Sequence, residues 1–319
     1  MRLFVSLFFM LTVLFSQSSM AETKIEYTKP KTFEFITNVP HSMVDAWHMS
    51  FNTEPETLIV WGGVVSSTVL LYIYDEKILA EFQRWGRQVG LGNDDHTTEY
   101  AHIGSISVFR GPHDVGSTMY FLGDGWTHTL IGFSFIAAGS ISNDNRALQT
   151  GSQIFNGMIS STIANQVAKR SFGRESPIRK TKPRGAWRPF PSFNEYNGNI
   201  SKYDAMPTGH LMTATMTFTI IDTNYPEYHA WVRPLGVTWL TLLGFQMINN
   251  SVHWASDYPL GIAMGYVFGK VATQYGKPKK DDENPASNKI TTWSNWSILP
   301  AFFGTNDDRN YALVGMCDF

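Results

Sequence analysis

Two histidines in the C-terminal half of this chain stand in settings where an imidazole can do phosphate chemistry. The first, His210, ends the segment "PTGH" (Pro207–His210), and its Pro and Gly mark a turn from which a helix would start. The first turn of such a helix offers free backbone N–H groups to an anion, and His210 there could donate a proton to a leaving oxygen. A buried histidine at a helix entry accounts for the same four residues.

The second histidine, His253, is followed four residues later by Asp257 in "HWASD". On a helix these two side chains would lie on one face, one turn apart. A carboxylate on one imidazole nitrogen fixes the tautomer and leaves the other nitrogen free to attack an electrophile. This spacing therefore indicates a nucleophilic histidine, although surface pairs and satisfied core histidines also produce it.

The order of three segments is more specific than any one of them. A basic, Pro-containing stretch (Lys169–Pro189) comes first, "PTGH" follows, and the His-x-x-x-Asp pair comes last. This arrangement resembles the type 2 phosphatidic acid phosphatase superfamily, whose signatures are K-x6-R-P, P-S-G-H and S-R-x5-H-x3-D. The matching segments are "KRSFGRESP" (Lys169–Pro177), "PTGH" and "QMINNSVHWASD" (Gln246–Asp257), within about residues 120–270.

The resemblance implies a helical bundle, shared with soluble acid phosphatases and vanadium-dependent haloperoxidases. It implies that His253 is the nucleophile that forms a phosphohistidine and that Asp257 orients it. It further implies that His210 protonates the leaving alkoxide and that Lys169 binds phosphate together with the backbone of Gly209. Neither a metal nor another cofactor is implied for the hydrolysis.

The sequence departs from the signatures at the arginines that normally grip phosphate. Ser176 stands at the first arginine position, and Gln246-Met247 replaces the Ser-Arg pair of the third segment. Each lost charge-assisted contact is worth about 1.5–3 kcal/mol, so substitutes are needed for activity. Arg174 is predicted to be the main substitute, while Arg179 is predicted to face solvent. The remaining candidate phosphate ligands are Arg184, Arg188 and the hydroxyl-bearing Thr208.

Three functions compete for this arrangement. An adapted phosphatase would hydrolyse a phosphomonoester or a pyrophosphate, and the aromatic residues around the motifs would suit a lipid-linked substrate. A haloperoxidase-like enzyme would hold vanadate at the same residues, but the missing arginines argue against a bound trianion. A catalytically silent phosphate-binding or lipid-binding protein of the same fold is the third alternative.

The N-terminus predicts export. Arg2, the apolar run Leu3–Phe15 and the small residues before Glu22 indicate a cleavable signal peptide over residues 1–21. This predicts a bacterial periplasmic protein, for which membrane contact stays open. Removal of Arg2 with the signal changes the net charge from −2 to −3, which gives no electrostatic reason to expect a nucleic-acid partner. Cys317 is the only cysteine, so the chain has no internal disulfide and no thiolate metal site.

The remaining sequence predicts an all-α protein with a short, partly extended C-terminal tail. Beyond the signal peptide, the predicted divisions are an N-terminal helical segment with a loop (22–118), a phosphatase-like helical core (119–276) and the tail (277–319). Helices are expected near residues 125–142, 152–168, 208–221, 235–250 and 253–270. Thr57–Tyr74 is the strongest of three uncharged stretches that approach membrane-spanning length. The other two, Gly125–Ser142 and Leu235–Val252, carry polar residues that favour buried helices of a bundle.

Overall fold

The computed structural model describes residues 26–92, 97–103, 106–276, 296–303 and 310–317. Within these ranges the chain is predominantly helical, which confirms the predicted fold class. The longer helices are α2 (Val39–Ser50), α3 (Pro55–Gln88), α5 (Gly125–Ser142), α6 (Asn145–Phe172), α8 (Gly209–Asn224), α9 (His229–Asn249) and α10 (Tyr258–Ala272). The shorter helices are α1 (Glu34–Thr37), α4 (Val115–Phe121) and α7 (Phe193–Gly198). The predicted signal peptide lies outside the described residues.

Three helices, α6, α8 and α10, form the centre of the bundle. Their contact residues include Ile154, Met216 and Val271, each 0% exposed. Small residues on α10 let it approach α8 closely, since a Cβ atom on Gly265 would lie 2.3 Å from the carbonyl oxygen of Met212. This close packing fixes the position of α8, whose first turn carries "GH".

Helix boundaries follow local capping signals. Helix α5 begins after Asp124, whose side chain accepts a hydrogen bond from the backbone N–H of Trp126 at 2.8 Å. It ends at Asn143 in the left-handed conformation, and Asp144 then caps α6. Helix α6 ends at Gly173, whose φ is +57°. A Cβ atom there would lie 1.7 Å from the carbonyl oxygen of Arg188, so only glycine fits this close approach.

Long helix α3 lies against the core with one side and exposes apolar residues on the other. Leu79 belongs to a buried cluster with Ile248 and Trp254, whereas Ile59 is 69% exposed. Among the described helices, α3 is long and apolar enough to cross a membrane as far as length and composition decide. Gly125–Ser142 and Leu235–Val252, expected to be buried helices of the bundle, are buried only in part, since Phe133 is 57% exposed and Leu235 is 56% exposed.

Two strand pairs stand outside the helical bundle. The loop predicted within the N-terminal segment (22–118) corresponds to a region that contains the antiparallel strands β1 (Thr97–Ile103) and β2 (Ile106–Pro112). The Gly, His and Asp content of this stretch indicated turns and gave no alternating pattern for a strand. In the tail, β3 (Trp296–Phe303) pairs with β4 (Asn310–Cys317), in agreement with the predicted extended character.

Candidate active site

The two predicted catalytic histidines lie side by side. The ring centroids of His210 and His253 are 6.1 Å apart, in an edge-on arrangement, so one phosphate group can contact both. Thr208 is the N-cap of α8, and Gly209 and His210 are its first two residues. Backbone N–H groups in the first turn of a helix lack intrahelical partners, and the helix dipole favours an anion there. The structure therefore places a histidine pair beside a potential anion-binding helix terminus.

The tautomer of His253 is set mainly by a backbone carbonyl. Its Nδ1 lies 2.6 Å from the carbonyl oxygen of Ala205 and 3.6 Å from Oδ2 of Asp257. An Nδ1–H that donates to Ala205 leaves Nε2 deprotonated and nucleophilic in the neutral ring. The role of Ala205 was missed in the sequence, because a backbone carbonyl has no residue-type signal.

Asp257 stabilises the segment that carries His253. The pair does not lie on a regular helix as predicted, because Ala255–Asp257 forms a single 3-10 turn and α10 begins only at Tyr258. Oδ2 of Asp257 accepts a hydrogen bond from the backbone N–H of Trp254 at 2.8 Å. The Asp257 carbonyl oxygen accepts one from the N–H of Thr208 at 3.3 Å, which ties the second motif to the third.

The role predicted for Arg174 needs correction. Its side chain is fully buried and forms ion pairs with Asp75 at 2.7 Å and Asp257 at 2.5 Å. It also donates to Oγ of Ser256 at 2.7 Å and to the carbonyl oxygen of Arg184 at 3.0 Å. A guanidinium occupied in this way has no fork left for two phosphate oxygens. Arg174 therefore does not fit a phosphate-binding role. It instead binds Oδ1 of Asp257, whose Oδ2 faces His253.

Asp75 completes this buried network from outside the motif region. It lies on α3, it is 1% exposed, and its Oδ2 accepts a hydrogen bond from Oγ of Ser256 at 2.5 Å. Its Oδ1 accepts one from the backbone N–H of Ser256 at 3.1 Å. The only sequence signal for Asp75 is that it ends the uncharged stretch Thr57–Tyr74, so its partner 99 residues away could not be predicted.

Lys169 lies at the site, but a carboxylate already contacts it. Its Nζ is 3.5 Å from Oδ2 of Asp204, and the side chain is 10% exposed. The neighbouring turn of α6 carries Asn165, which is 4% exposed and whose amide lies against Gly209. Lys169 and Asn165 thus line the approach to the start of α8 from one helix.

The other predicted phosphate ligands have separate contacts. Arg188 forms an ion pair with Glu175 and donates to Oγ1 of Thr181 at 3.0 Å. The guanidinium of Arg184 lies over the ring of Tyr72, with 5.5 Å between its carbon and the ring centroid. Thr208 is fully buried, and its hydroxyl contacts the sulfur of Met247 at 3.7 Å. These contacts link Arg184 to α3, Arg188 to its own loop and Thr208 to α9.

Burial controls the proton on His210. Desolvation is the main cause that lowers its pKa to about 3, and the nearby charges of His253 and Lys169 lower it further. His210 is therefore neutral at neutral pH. A phosphate anion beside the ring would favour its protonated form and raise this pKa.

A third histidine, His128 on α5, contributes to the electrostatics of the same region. It is 0% exposed, and desolvation lowers its pKa to about 4. The unfolded chain takes up a proton at this side chain below about pH 6.5, whereas the folded chain does so only near pH 4. The free energy of unfolding is therefore unaffected by His128 above about pH 6.5, and it decreases as the pH falls from there toward 4.

His128→Phe is expected to flatten this pH dependence. Between about pH 7.5 and about pH 5, the free energy of unfolding of the wild type should fall by about 2 kcal/mol more than that of the variant. Denaturant unfolding at the two pH values measures the difference, and His48→Phe at an exposed position is the matched control. If the free energy of unfolding falls between the two pH values by the same amount in His128→Phe as in the wild type, His128 is not buried in its neutral form.

Comparisons with known proteins agree with the motif order. The family model described as the PAP2 superfamily matches residues 151–281, which confirms the resemblance. The lipid A 1-phosphatase of Porphyromonas gingivalis is 30% identical over 80 residues, which make up 25% of this chain and 18% of that protein. No solved structure matches the chain. Within the described ranges, no group of three or more His, Cys, Asp and Glu side chains could hold a metal ion.

Proposed function

We propose, on the premise that the chain belongs to the PAP2 superfamily through residues 151–281, that this protein is a phosphatase acting through a phosphohistidine. One observation carries the proposal: the rings of His210 and His253 lie 6.1 Å apart at the first turn of α8. Nε2 of His253 is the nucleophile, because Nδ1 is engaged by the carbonyl oxygen of Ala205.

The substrate class is a phosphomonoester or a pyrophosphate that is linked to a lipid. Similarity to a protein named lipid A 1-phosphatase supports a lipid carrier, although the match spans only 18% of that protein. Large apolar side chains at the surface support it further, since Phe190, Phe193 and Trp231 are 77%, 73% and 79% exposed. Free phosphorylated small molecules remain the alternative substrates.

The reaction runs in two displacements. The backbone N–H groups of Gly209 and His210 and the ammonium of Lys169 bind the phosphate oxygens. Nε2 of His253 attacks phosphorus, and the bond between phosphorus and the leaving oxygen breaks. His210 donates a proton to that oxygen, and water then attacks the phosphohistidine, gives its proton to His210 and releases phosphate.

The proton needed for the first step arrives with the substrate. His210 itself is neutral at neutral pH, because burial lowers its pKa to about 3. A bound phosphate monoanion can transfer its proton to this ring, which then acts as the general acid.

A phosphate-release assay on the purified chain tests the proposal. Release from a generic aryl phosphate should occur and should persist when EDTA is added. A catalytically silent binding protein would give no release, and a metal-dependent hydrolase would lose its activity in EDTA.

Export is proposed from residues 1–21, and the N-terminal residue of the mature chain tests it, with Glu22 expected.

His210→Ala is expected to discriminate between leaving groups. An alkoxide needs a proton to leave and an aryl oxide needs it much less, so kcat/KM for an alkyl phosphate should fall by about 10²-fold. The loss for p-nitrophenyl phosphate should be smaller than about tenfold. Equal losses for both substrates would assign His210 to binding rather than to proton transfer.

A further inference from the structure

Asn165 on α6 is a buried polar side chain at the start of α8 that the proposed reaction does not use. It is 4% exposed, and among the described residues its Oδ1 has no hydrogen-bond partner. Its Nδ2 lies against Gly209, where an added Cβ atom would be 2.9 Å away. Buried acceptors without a donor are rare in folded proteins, so the unpartnered oxygen points to a ligand that supplies the missing hydrogen bond.

Helix α6 places Asn165 beside Lys169. The two residues are four positions apart, so their side chains lie on one face of the helix, one turn from each other. Both are buried, since Lys169 is 8% exposed. Gly209 is the first residue of α8, and its lack of a side chain leaves room for the carboxamide of Asn165. An anion at the first turn of α8 would therefore meet a carboxamide and an ammonium from the same face of α6.

A carboxamide offers a phosphate group something that an arginine cannot. A guanidinium only donates hydrogen bonds, whereas a carboxamide donates through its nitrogen and accepts through its oxygen. Arginine-lined sites therefore suit fully deprotonated oxyanions, but the best candidate arginine of this chain, Arg174, already binds Asp75 and Asp257. A carboxamide suits a phosphate monoanion, in which one oxygen carries a proton and the others do not.

We propose that Asn165 binds the phosphate group with both ends of its carboxamide. Nδ2 donates to an unprotonated oxygen, and Oδ1 accepts a hydrogen bond from the oxygen that carries the proton. This inference rests on the proposed function and adds a specificity determinant to the same site. It makes the site selective for phosphate over sulfate, because sulfate has no proton to donate. A site built only from Lys169 and backbone N–H groups would instead favour sulfate, which carries the larger negative charge.

The affinities for inorganic phosphate and for sulfate test this selectivity without turnover. Calorimetry of the full chain measures both at about pH 5.5, where phosphate carries a proton. The wild type should bind phosphate at least about tenfold more tightly than sulfate, which corresponds to one additional hydrogen bond. A wild type that binds phosphate no more tightly than sulfate would overturn the proposal.

Asn165→Leu is expected to remove most of this preference. It keeps the size of the side chain and removes the donor and the acceptor, so phosphate loses two hydrogen bonds and sulfate loses one. Phosphate binding should weaken by at least about tenfold, and the preference over sulfate should fall by about tenfold. The imidazoles of His210 and His253 can also accept a hydrogen bond from phosphate, and both remain in the variant. Asn165→Ala, which adds no bulk, replaces this variant if it does not fold.

The matched control is Gln149→Met on the same helix. Gln149 is 1% exposed, and its Nε2 also lacks a partner among the described residues. Removing this amide, about 24 Å along the helix from Asn165, should leave both affinities within about twofold of wild type. Equal weakening of phosphate and sulfate in Asn165→Leu would assign Asn165 to structural support of the site and overturn the proposal.

Two outcomes separate this inference from the proposed function. Hydrolysis by the wild type, with a phosphate preference that Asn165→Leu does not change, would overturn the inference and leave the phosphatase function in place. Phosphate selectivity that depends on Asn165, in a protein that releases no phosphate from any ester, would support the inference and refute the phosphatase function.

Discussion

His253→Ala is expected to lower kcat for phosphate release by at least about 10⁴-fold. The nucleophile splits one hard displacement into two easier ones, and the ring centroid of His253 lies 6.1 Å from that of His210. Phosphate binding should weaken by less than about tenfold, because Lys169 and the first turn of α8 remain. Steady-state kinetics and phosphate inhibition measure the two effects separately.

The control for this change is His48→Ala, at an exposed position on α2. It removes an imidazole of the same size and should leave both kcat and phosphate inhibition unchanged. Residual activity of His253→Ala above about 1% of wild type would contradict a nucleophilic role. Direct attack of water on the phosphate ester, with or without a metal ion, would then be the alternative mechanism.

Arg174→Ala is expected to have the largest combined effect on stability and turnover. It leaves Asp75 and Asp257 buried without a counter-charge, which typically costs about 3–5 kcal/mol of unfolding free energy. Repulsion between the two carboxylates should also displace Asp257 from the backbone N–H of Trp254 and so misplace His253. For the fraction that folds, kcat should fall by about 10²–10³-fold.

The kinetic pattern distinguishes this positioning role from phosphate binding. A positioning residue lowers kcat with little change in KM or in the inhibition constant of phosphate, whereas a phosphate ligand raises both constants. Arg174→Lys keeps one charge but cannot bridge both carboxylates and Ser256, so it should recover stability more than kcat. Arg179→Ala, at an exposed position in the same loop, is the matched control.

A raised KM in Arg174→Lys with unchanged kcat would restore the phosphate-binding role that the sequence suggested.

Asp75→Asn gives an independent test of the network. It removes one carboxylate of the pair without creating a buried unpaired arginine, since Asp257 still faces Arg174. Its loss of kcat should therefore be smaller than that of Arg174→Ala.

Positive charge is scarce at the site compared with what the motif signatures supply. Ser176 and Met247, at the two signature arginine positions, are 3% and 0% exposed and leave no room for an added guanidinium without rearrangement. The ammonium of Lys169 lies near the carboxylate of Asp204, and Arg188 forms an ion pair with Glu175. In the proposed reaction, backbone N–H groups therefore supply most of the contacts to phosphate, and a vanadate trianion would be poorly neutralised at the same place.

Local patterns predicted the helices and the histidine pair, whereas partners distant in sequence were not predictable. Gly125–Ser142 was predicted with the observed bounds, because Asp124 and Asn143 supply a start and a stop at its ends. The PTGH segment predicted the start of α8 to within one residue, since a Pro-Gly turn exposes the first backbone amides. Such signals act within a few residues, so the sequence carries them directly.

The failures share one physical cause, which is that a residue's role depended on a distant partner. Arg174 resembled a phosphate ligand because it lies in a basic loop, but Asp75 on α3 changes its role. The carbonyl oxygen of Ala205 sets the tautomer of His253 from 48 residues away. The β1–β2 pair was missed because its two segments show no alternation of apolar and polar residues. They are recognised as strands by their hydrogen-bonded pairing with each other.

Trapping of the covalent intermediate tests the central claim most directly. The chain is mixed with a phosphate ester radiolabelled at phosphorus and quenched in alkali, where phosphohistidine survives. The account predicts label on the protein that is stable in alkali, is lost in acid and maps to the peptide that contains His253. Wild-type protein that turns over the ester but never carries alkali-stable label, or carries it equally after His253→Ala, would contradict the account.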